Sequence, residues 1–409
     1  MKKIIFLFSI IAFFSLFFAK AEAQSLAGIL SGKILLDVER NGEAWYIYPL
    51  DNKRYYLGRP HDAFDIMRNL GLGISEYDFQ KISEAGMLVD GDLVLAKKLS
   101  GRIILQVEKN GEAWYINPVT YKKHYLGRPN DAFNIMRELG LGISRRNLAL
   151  IHKNTLDESI NQYSSYSHRK KIVLNESDFF VDFIEIDLNN PNLKIITETA
   201  NSDDCLGRCS ARPLIDYVCD HEAFAAINGS YFDTSIEKMN YYFAPVYNTR
   251  INKMINISQL RYSSTGPIVV FDQDNNFYYF KDVRDFVGVD NFQEKYNTKI
   301  QAAISNLPRL IEDGKSLLIE WSLDGRQLNN KASRSALAHK KGEGTNDKGG
   351  VYLLVLRSAT IDDLAEVLKL MKMDWAINLD GGYSTALYYN GEYMMGPGRN
   401  IPNAILFAE

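Results

Sequence analysis

Three things are scarce in this sequence: cysteine, net charge and long apolar runs. It holds only three cysteines, Cys205, Cys209 and Cys219, all within one short segment. Three thiols without a matching histidine pair nearby make a poor zinc set. In an oxidising compartment two of them form a small disulfide loop and one is left over, and the spacing does not say which. The formal net charge is −3 in 409 residues, which gives no electrostatic footing for a nucleic-acid partner. Beyond Ala19 no stretch is long and apolar enough for a membrane-spanning helix, so the mature chain is expected to have none. Hydrophobic residues make up 46% and charged residues 24%, ordinary values for a globular chain. The length exceeds what one hydrophobic core usually holds, so two or three domains are expected.

The apolar run that does exist is at the start. Met1-Lys2-Lys3 precede an unbroken apolar stretch from Ile4 to Ala19, then Lys20 and the small-residue triplet Ala21-Glu22-Ala23. A basic start, an apolar centre and an A-x-A site describe a secretory signal peptide over residues 1–23, with an uncleaved anchor as the competing reading.

Residues 30–75 and 99–144 are one unit written twice, with about seven positions in ten identical at an offset of 69. Gly42-Glu43-Ala44-Trp45-Tyr46-Ile47 returns as Gly111-Glu112-Ala113-Trp114-Tyr115-Ile116. In each copy two β-rich runs are joined through Asn-Gly, a dipeptide that tolerates the positive φ of a tight hairpin. A third short run precedes Pro60, suited to a first helical turn, and Ala63, Phe64, Met67 and Leu70 recur at helical spacing up to Gly71. The unit reads β-β-β-α, giving repeats over 30–98 and 99–151. Its aromatic cluster, Trp45, Tyr46, Tyr48, Tyr55 and Tyr56, has two readings: sugar stacking or core filling. Core filling is favoured for Trp45 and Trp114, which strand residues flank on both sides.

Residues 152–171 turn polar and read as a linker. From residue 172 to 409 longer strand patterns mix with helices. Strands are expected at Phe179 to Asp187, Lys194 to Thr199, Phe224 to Asn228, Pro267 to Phe271, Val351 to Leu356 and Trp375 to Leu379. One helix is clear, capped by Thr360, with Leu364, Val367, Leu368 and Met371 as its buried stripe. The fold class is therefore α/β, a mixed α+β sheet domain preceded by the two repeats.

Four segments of this domain are too specialised for packing alone: Ala225 to Phe232, Ser333-Arg334-Ser335-Ala336, Ala376 to Thr385, and Arg399 to Asn403. In the third, an apolar strand runs straight into Asp380-Gly381-Gly382. Two glycines let the backbone approach a ligand, and successive N–H groups there can cradle an anionic oxygen, with the Ser384 hydroxyl at the edge. An ordinary tight turn is the plain alternative. Asn228-Gly229 at the end of another buried strand tips the balance, because loops at strand ends are where α/β folds bind ligands.

In this order the four segments, with Leu307 to Gly314, resemble the phosphodiester glycosidase family, from about Asp182 to Phe407. Tyr383 stands where the family commonly has a third glycine, and Arg357-Ser358-Ala359 stands where it has a more glycine-rich turn, read here as a shortened hairpin. The resemblance implies a hydrolase that removes a sugar from a phosphodiester-linked, phosphorylated glycan. The leaving group is then a phosphate monoester, so cationic and N–H donors for phosphate matter more than a strong general acid. Arg334 and Arg399 are the natural phosphate ligands. Asp380 is the expected nucleophile or general base, with Asn228 and Ser384 on sugar hydroxyls and Gly229, Gly381 and Gly382 lining the substrate. Glu312 and Asp324 are candidates for a second carboxylate. No cofactor is implied, although a divalent metal held by Asp380 and phosphate oxygens is compatible with the pattern.

The repeats resemble units found beside hydrolase domains in bacterial cell-envelope proteins, which implies attachment to an envelope polymer and an extracytoplasmic location. Two other classes fit the sequence: a non-catalytic envelope glycan-binding protein, and a conventional glycosidase on neutral glycan.

Overall fold

The computed structural model describes residues 25–58, 60–88, 91–127, 129–154, 165–258, 266–318, 323 and 325–409. The expected signal peptide, residues 1–23, and the candidate carboxylate Asp324 lie outside the described residues.

Each repeat forms the expected antiparallel ladder of three strands, Ile34–Asp37, Ala44–Ile47 and Arg54–Tyr56 in the first, Ile103–Gln106, Ala113–Ile116 and Lys123–Tyr125 in the second. The helices Pro60–Leu70 and Pro129–Leu139 follow, and Gly71 closes the first with an N–H bond to the Met67 carbonyl at 3.0 Å. The unit then gains a strand. Leu72–Ile74 pairs in parallel with Ile103–Gln106 of the second repeat, and Leu141–Ile143 with Ile34–Asp37 of the first. The repeats thus exchange their last strands and are not two separate bodies. Tyr46 Oη donates to the Gly101 carbonyl at 2.6 Å and Tyr115 Oη to the Gly32 carbonyl at 2.7 Å. Both glycines have positive φ, and a Cβ on Gly32 would stand 2.6 Å from the Gly101 Cα, so the two backbones touch where only glycine fits. Tyr46, Tyr55, Ile66 and Met67 of one copy share a core with Ile103, Tyr115 and Met136 of the other. Trp45 and Trp114 are buried, in line with the core reading.

The C-terminal domain stacks three sheets around one core. A seven-stranded sheet runs in the order 315–316, 309–312, 375–379, 332–340, 350–359, 177–187, 166–174. Two five-stranded sheets accompany it, one centred on Ala225–Asn228 and one on Ile300–Ser305. Ile184, Leu353 and Ile377 of the first sheet, Ile227 and Phe407 of the second, and Phe271 and Ile304 of the third meet in one apolar cluster. The outer face of the seven-stranded sheet is covered by the helix Ile361–Leu370, and that of the second sheet by Leu214–His221. Thr360 caps the former in a reciprocal capping box with Asp363. Its buried Leu364, Val367 and Leu368 each contribute roughly 1.5–3 kcal/mol.

Three sequence expectations change. Every strand pair of this domain's three sheets is antiparallel, so the mixed α and β content holds but the rule for parallel sheets does not apply. Residues 166–171, read as linker, belong to the edge strand Tyr166–Leu174, which turns through Asn175 and Glu176, both at positive φ, into Ser177–Asp187. Its polarity is that of an exposed edge. Arg357 to Ala359, read as a hairpin, end the strand Gly350–Ala359, where Arg357 Nη2 lies 2.7 Å from Asp182.

Cys205 and Cys209 form the disulfide, and Cys219 stays a buried thiol that burial pushes up to about 11. The repeat body docks on the C-terminal domain through a bidentate Arg146–Asp216 pair, both bonds 2.6 Å, and a Tyr388 Oη bond to the Ala149 carbonyl at 2.7 Å. Among the described residues no helix is long and apolar enough to cross a membrane.

Candidate active site

Two central strands from different sheets deliver the site. Trp375–Leu379 lies between Arg309–Glu312 and Ala332–Lys340, and Ala225–Asn228 lies between Asn403–Ala408 and Leu387–Tyr389. Their C-terminal ends are sewn together: the Asp380 N–H donates to the Gly229 carbonyl at 2.8 Å, and Asn228 Nδ2 donates to the Asp380 carbonyl at 2.7 Å. Asn228 Oδ1 accepts from Ser335 Oγ at 3.2 Å and from the Ala386 N–H at 3.0 Å. Asn228 is wholly buried. Its expected place against sugar hydroxyls is therefore corrected: it ties the two sheets and fixes the backbone of Asp380. Gly229 is likewise a packing position, since a Cβ there would stand 1.9 Å from Asn403 Oδ1.

Asp380 is partly exposed, with a carboxyl largely removed from water. Burial pushes it up to about 6, against the pull of a Ser384 hydrogen bond, the Gly381 N–H, Arg399 and Arg334. The Gly381 N–H reaches Asp380 Oδ1 at 2.9 Å. Ser384 is buried and serves the carboxylate, which replaces the substrate contact expected of it. A Cβ on Gly381 would stand 2.7 Å from the Ser333 carbonyl oxygen, and Gly382 sits at φ +63°. The glycine pair thus permits the turn itself. With the Ser384 and Thr385 N–H groups bonded back to Gly381 and Gly382, the expected cradle shrinks to the N–H groups of Gly382 and Tyr383. Tyr383 is 84% exposed, so its ring stands out in solvent.

The two arginines differ. Arg334 is buried; its Nε donates to the Ala359 carbonyl at 3.0 Å and its Nη2 to the Asn330 carbonyl at 2.6 Å. Those bonds engage the Nε–Nη2 edge of the guanidinium with main-chain carbonyls, while its charge still acts on Asp380. Arg399 is partly exposed, its guanidinium 5.6 Å from the centre of the Tyr383 ring and 5.9 Å from that of Phe232. No carboxylate among the described residues forms an ion pair with it, although it acts electrostatically on Asp380. Glu312 pairs with Trp375, at the far end of the strand that carries Asp380, and so is not a second carboxylate for this site. Among the described residues no group of three or more histidine, cysteine or acidic side chains gathers for a metal.

Sequence reasoning missed Tyr231, although it lies within a quoted segment. Its Oη accepts from Gln327 Nε2 at 2.8 Å and from Asn378 Nδ2 at 2.7 Å. Burial, then the Asp380 charge, pushes the phenol up to about 12, so it stays protonated as a donor beside that carboxylate. The signal that was available is a tyrosine two residues beyond the Asn-Gly end of a buried strand.

Residues 221–408 match the model of the phosphodiester glycosidase family, a span that includes every strand named above as supplying the site. Among solved structures the chain is similar to the catalytic domain of zebrafish N-acetylglucosamine-1-phosphodiester alpha-N-acetylglucosaminidase, auto-inhibited by its pro-peptide, with 17% identity, a TM-score of 0.47 and coverage of 62% of this chain and 85% of that one. It is also similar to a hypothetical protein from Synechocystis, with 15% identity, a TM-score of 0.41 and coverage of 59% and 62%. No curated protein matches the chain. The match to the phosphodiester glycosidase family is thus carried by the C-terminal domain, over residues 221–408.

Proposed function

We propose that the C-terminal domain is an extracytoplasmic glycosidase that hydrolyses a sugar from a phosphodiester-linked glycan. The observation that carries this reading is a desolvated carboxylate, Asp380, beside an arginine that forms no ion pair among the described residues, Arg399. The bond broken is that between the anomeric carbon and the phosphate oxygen. The electron pair leaves with the phosphate monoester, and water supplies hydroxyl to the carbon and a proton to solvent. A phosphate leaving group needs little protonation, so one carboxylate at the carbon and one guanidinium at the phosphate supply the main requirements. Asp380 acts at the anomeric carbon as nucleophile or base, Arg399 binds phosphate oxygens, and Tyr231 donates a hydrogen bond near the carboxylate.

The location rests on the signal-like first 23 residues and on the Cys205–Cys209 disulfide. The repeat body locates the enzyme on an envelope polymer; it docks near Phe224, at the opposite end of the Ala225–Asn228 strand from Asp380, and leaves the catalytic end clear. The test is release of free sugar by the secreted protein from a sugar-1-phosphodiester, beside an aryl glycoside of the same sugar. Turnover of the diester is expected to exceed that of the glycoside, and release from the glycoside alone overturns the proposal.

A further inference from the structure

The two repeats place equivalent residues in unequal surroundings. In the second, Trp114 Nε1 donates to Gln106 Oε1 at 2.8 Å, and Phe79 packs on the indole with ring centroids 5.1 Å apart. Lys123 Nζ donates to the Phe79 carbonyl at 2.9 Å. The Trp114 indole and the Lys123 ammonium thus both have acceptors. In the first repeat the counterpart of Gln106 is Asp37, one methylene shorter, whose Oδ1 turns back to the Glu39 N–H at 3.0 Å. Trp45 Nε1 is consequently buried with no acceptor among the described residues. The same is true of Nε of Arg54, the counterpart of Lys123, whose guanidinium lies over the Trp45 ring at 4.8 Å. Asn154 Oδ1 is a buried acceptor with no donor among the described residues. A buried polar group left unpaired costs roughly 1–3 kcal/mol, and three around one place mark where partners are to be supplied from outside.

They surround a cavity. Trp45 lines a space of about 500 Å³ between the first repeat and the C-terminal domain, with Tyr56, Asp62, Asp65, Asn69 and Asn154 on its wall. It continues into a recess of about 90 Å³ where Trp45 and Arg54 meet. The larger space falls within the range of small-ligand sites, roughly 300–1,000 Å³. The wall selects the ligand by its chemistry. The wall carries the carboxylates Glu43, Asp62, Asp65 and Glu222 against the cations Arg40 and Lys153, and Arg40 already bonds Glu222, so an anion such as phosphate is disfavoured. A purely apolar ligand would leave Trp45 Nε1 and Asn154 Oδ1 unpaired. A polyol both donates to carboxylates and accepts from an indole N–H, and its C–H faces suit aromatic rings.

We infer that this cavity binds a segment of neutral glycan, and that of the two tryptophan surroundings only that of Trp45 offers a site, the one around Trp114 being filled by Gln106 and Phe79. The site is distinct from Asp380, so glycan binding here and diester hydrolysis are separately measurable.

The test uses the full-length protein and its indole N–H resonances, with those of Trp45 and Trp114 assigned by Trp45→Phe and Trp114→Phe. The probes are neutral tetrasaccharides of glucose, of mannose and of N-acetylglucosamine, with inorganic phosphate as the anionic probe. At least one saccharide is expected to shift the Trp45 indole while the Trp114 indole stays in place. Trp45→Phe, which keeps the ring and removes the N–H, is expected to weaken that saccharide about tenfold, and Asp62→Asn on the cavity wall to weaken it as well. Diester turnover is expected to stay at the wild-type level in both variants. A Trp45 resonance that no saccharide moves overturns the inference, as does one that moves with phosphate instead, or wild-type saccharide affinity in both variants.

Discussion

The N-terminal body and the C-terminal domain assemble their working parts in opposite ways. In the repeat body near-identical sequence gives identical elements, and individuality comes from a few unequal positions such as Asp37 against Gln106. In the C-terminal domain nothing repeats, and Asn228, Arg334, Asp380 and Arg399 come together only because strands of two sheets end at one place. The first body shows how the Trp114 indole can be satisfied internally while that of Trp45 is left without an acceptor among the described residues. In the second, buried ties hold several of the specialised residues around one desolvated carboxylate.

The contrast is sharpest at Asp380 itself. Asp380→Asn is expected to cut diester turnover by roughly a thousandfold or more, as loss of a positioned nucleophile or base does. The same change is expected to stabilise the domain. The folded pKa of about 6 lies above the usual carboxylate value of 3.8, so ionisation opposes folding. That penalty is absent below the unfolded pKa, grows as pH rises toward 6, and is complete above it. Removal of the charge should therefore gain about 3 kcal/mol at neutral pH and nothing in strong acid. Denaturant melts at pH 7.5 and pH 3 check this; equal stability of wild type and variant at both contradicts a desolvated carboxylate.

The comparison also predicts independence of the two bodies. Gly101→Ala places a Cβ 2.4 Å from the Gly32 Cα across the exchange of strands. It is expected to destabilise the repeat body by about 2–4 kcal/mol with little effect on turnover of a small soluble diester. Loss of that turnover in a protein whose C-terminal domain remains folded would join what the account separates.

Arg334→Lys is the next smaller effect. Because Arg334 binds main-chain carbonyls, the lysine should cost roughly 1–3 kcal/mol of stability, and it should lower diester and neutral glycoside turnover by the same factor. A loss confined to the diester restores Arg334 as a phosphate ligand. Smaller still is the pH response: kcat/KM on the diester should rise through about pH 6 as Asp380 ionises and then level off. A rate flat from pH 5 to 8 excludes Asp380 as the titrating group.

Much of this was legible in the sequence, for reasons that are local. The strands Lys194–Thr199 and Trp375–Leu379 have the ends expected of them, because their apolar runs are bounded by turn chemistry. The helix after Thr360 was readable from its cap and stripe. The exchanged strand Leu72–Ile74 was not, being three residues with a glycine whose partner lies in the other repeat. Pairing register removed Glu312 from the site, and no local pattern contains register. Asn228 and Arg334 stand out in the sequence as specialised, but residue type does not distinguish an amide or guanidinium that holds a ligand from one that holds backbone carbonyls. The edge strand Tyr166–Leu174 was hidden by its polarity, which means that a truncation meant to isolate the C-terminal domain should begin before Tyr166.

The central claim is that Arg399 serves the phosphate and Asp380 the sugar. It is tested most directly by kcat/KM of wild type and Arg399→Ala on a sugar-1-phosphodiester and on an activated neutral glycoside of the same sugar. A guanidinium that meets phosphate only in the diester contributes on the order of 2–4 kcal/mol to its transition state. The diester ratio should then exceed the neutral ratio by well over tenfold, whereas equal losses on the two substrates would contradict the account.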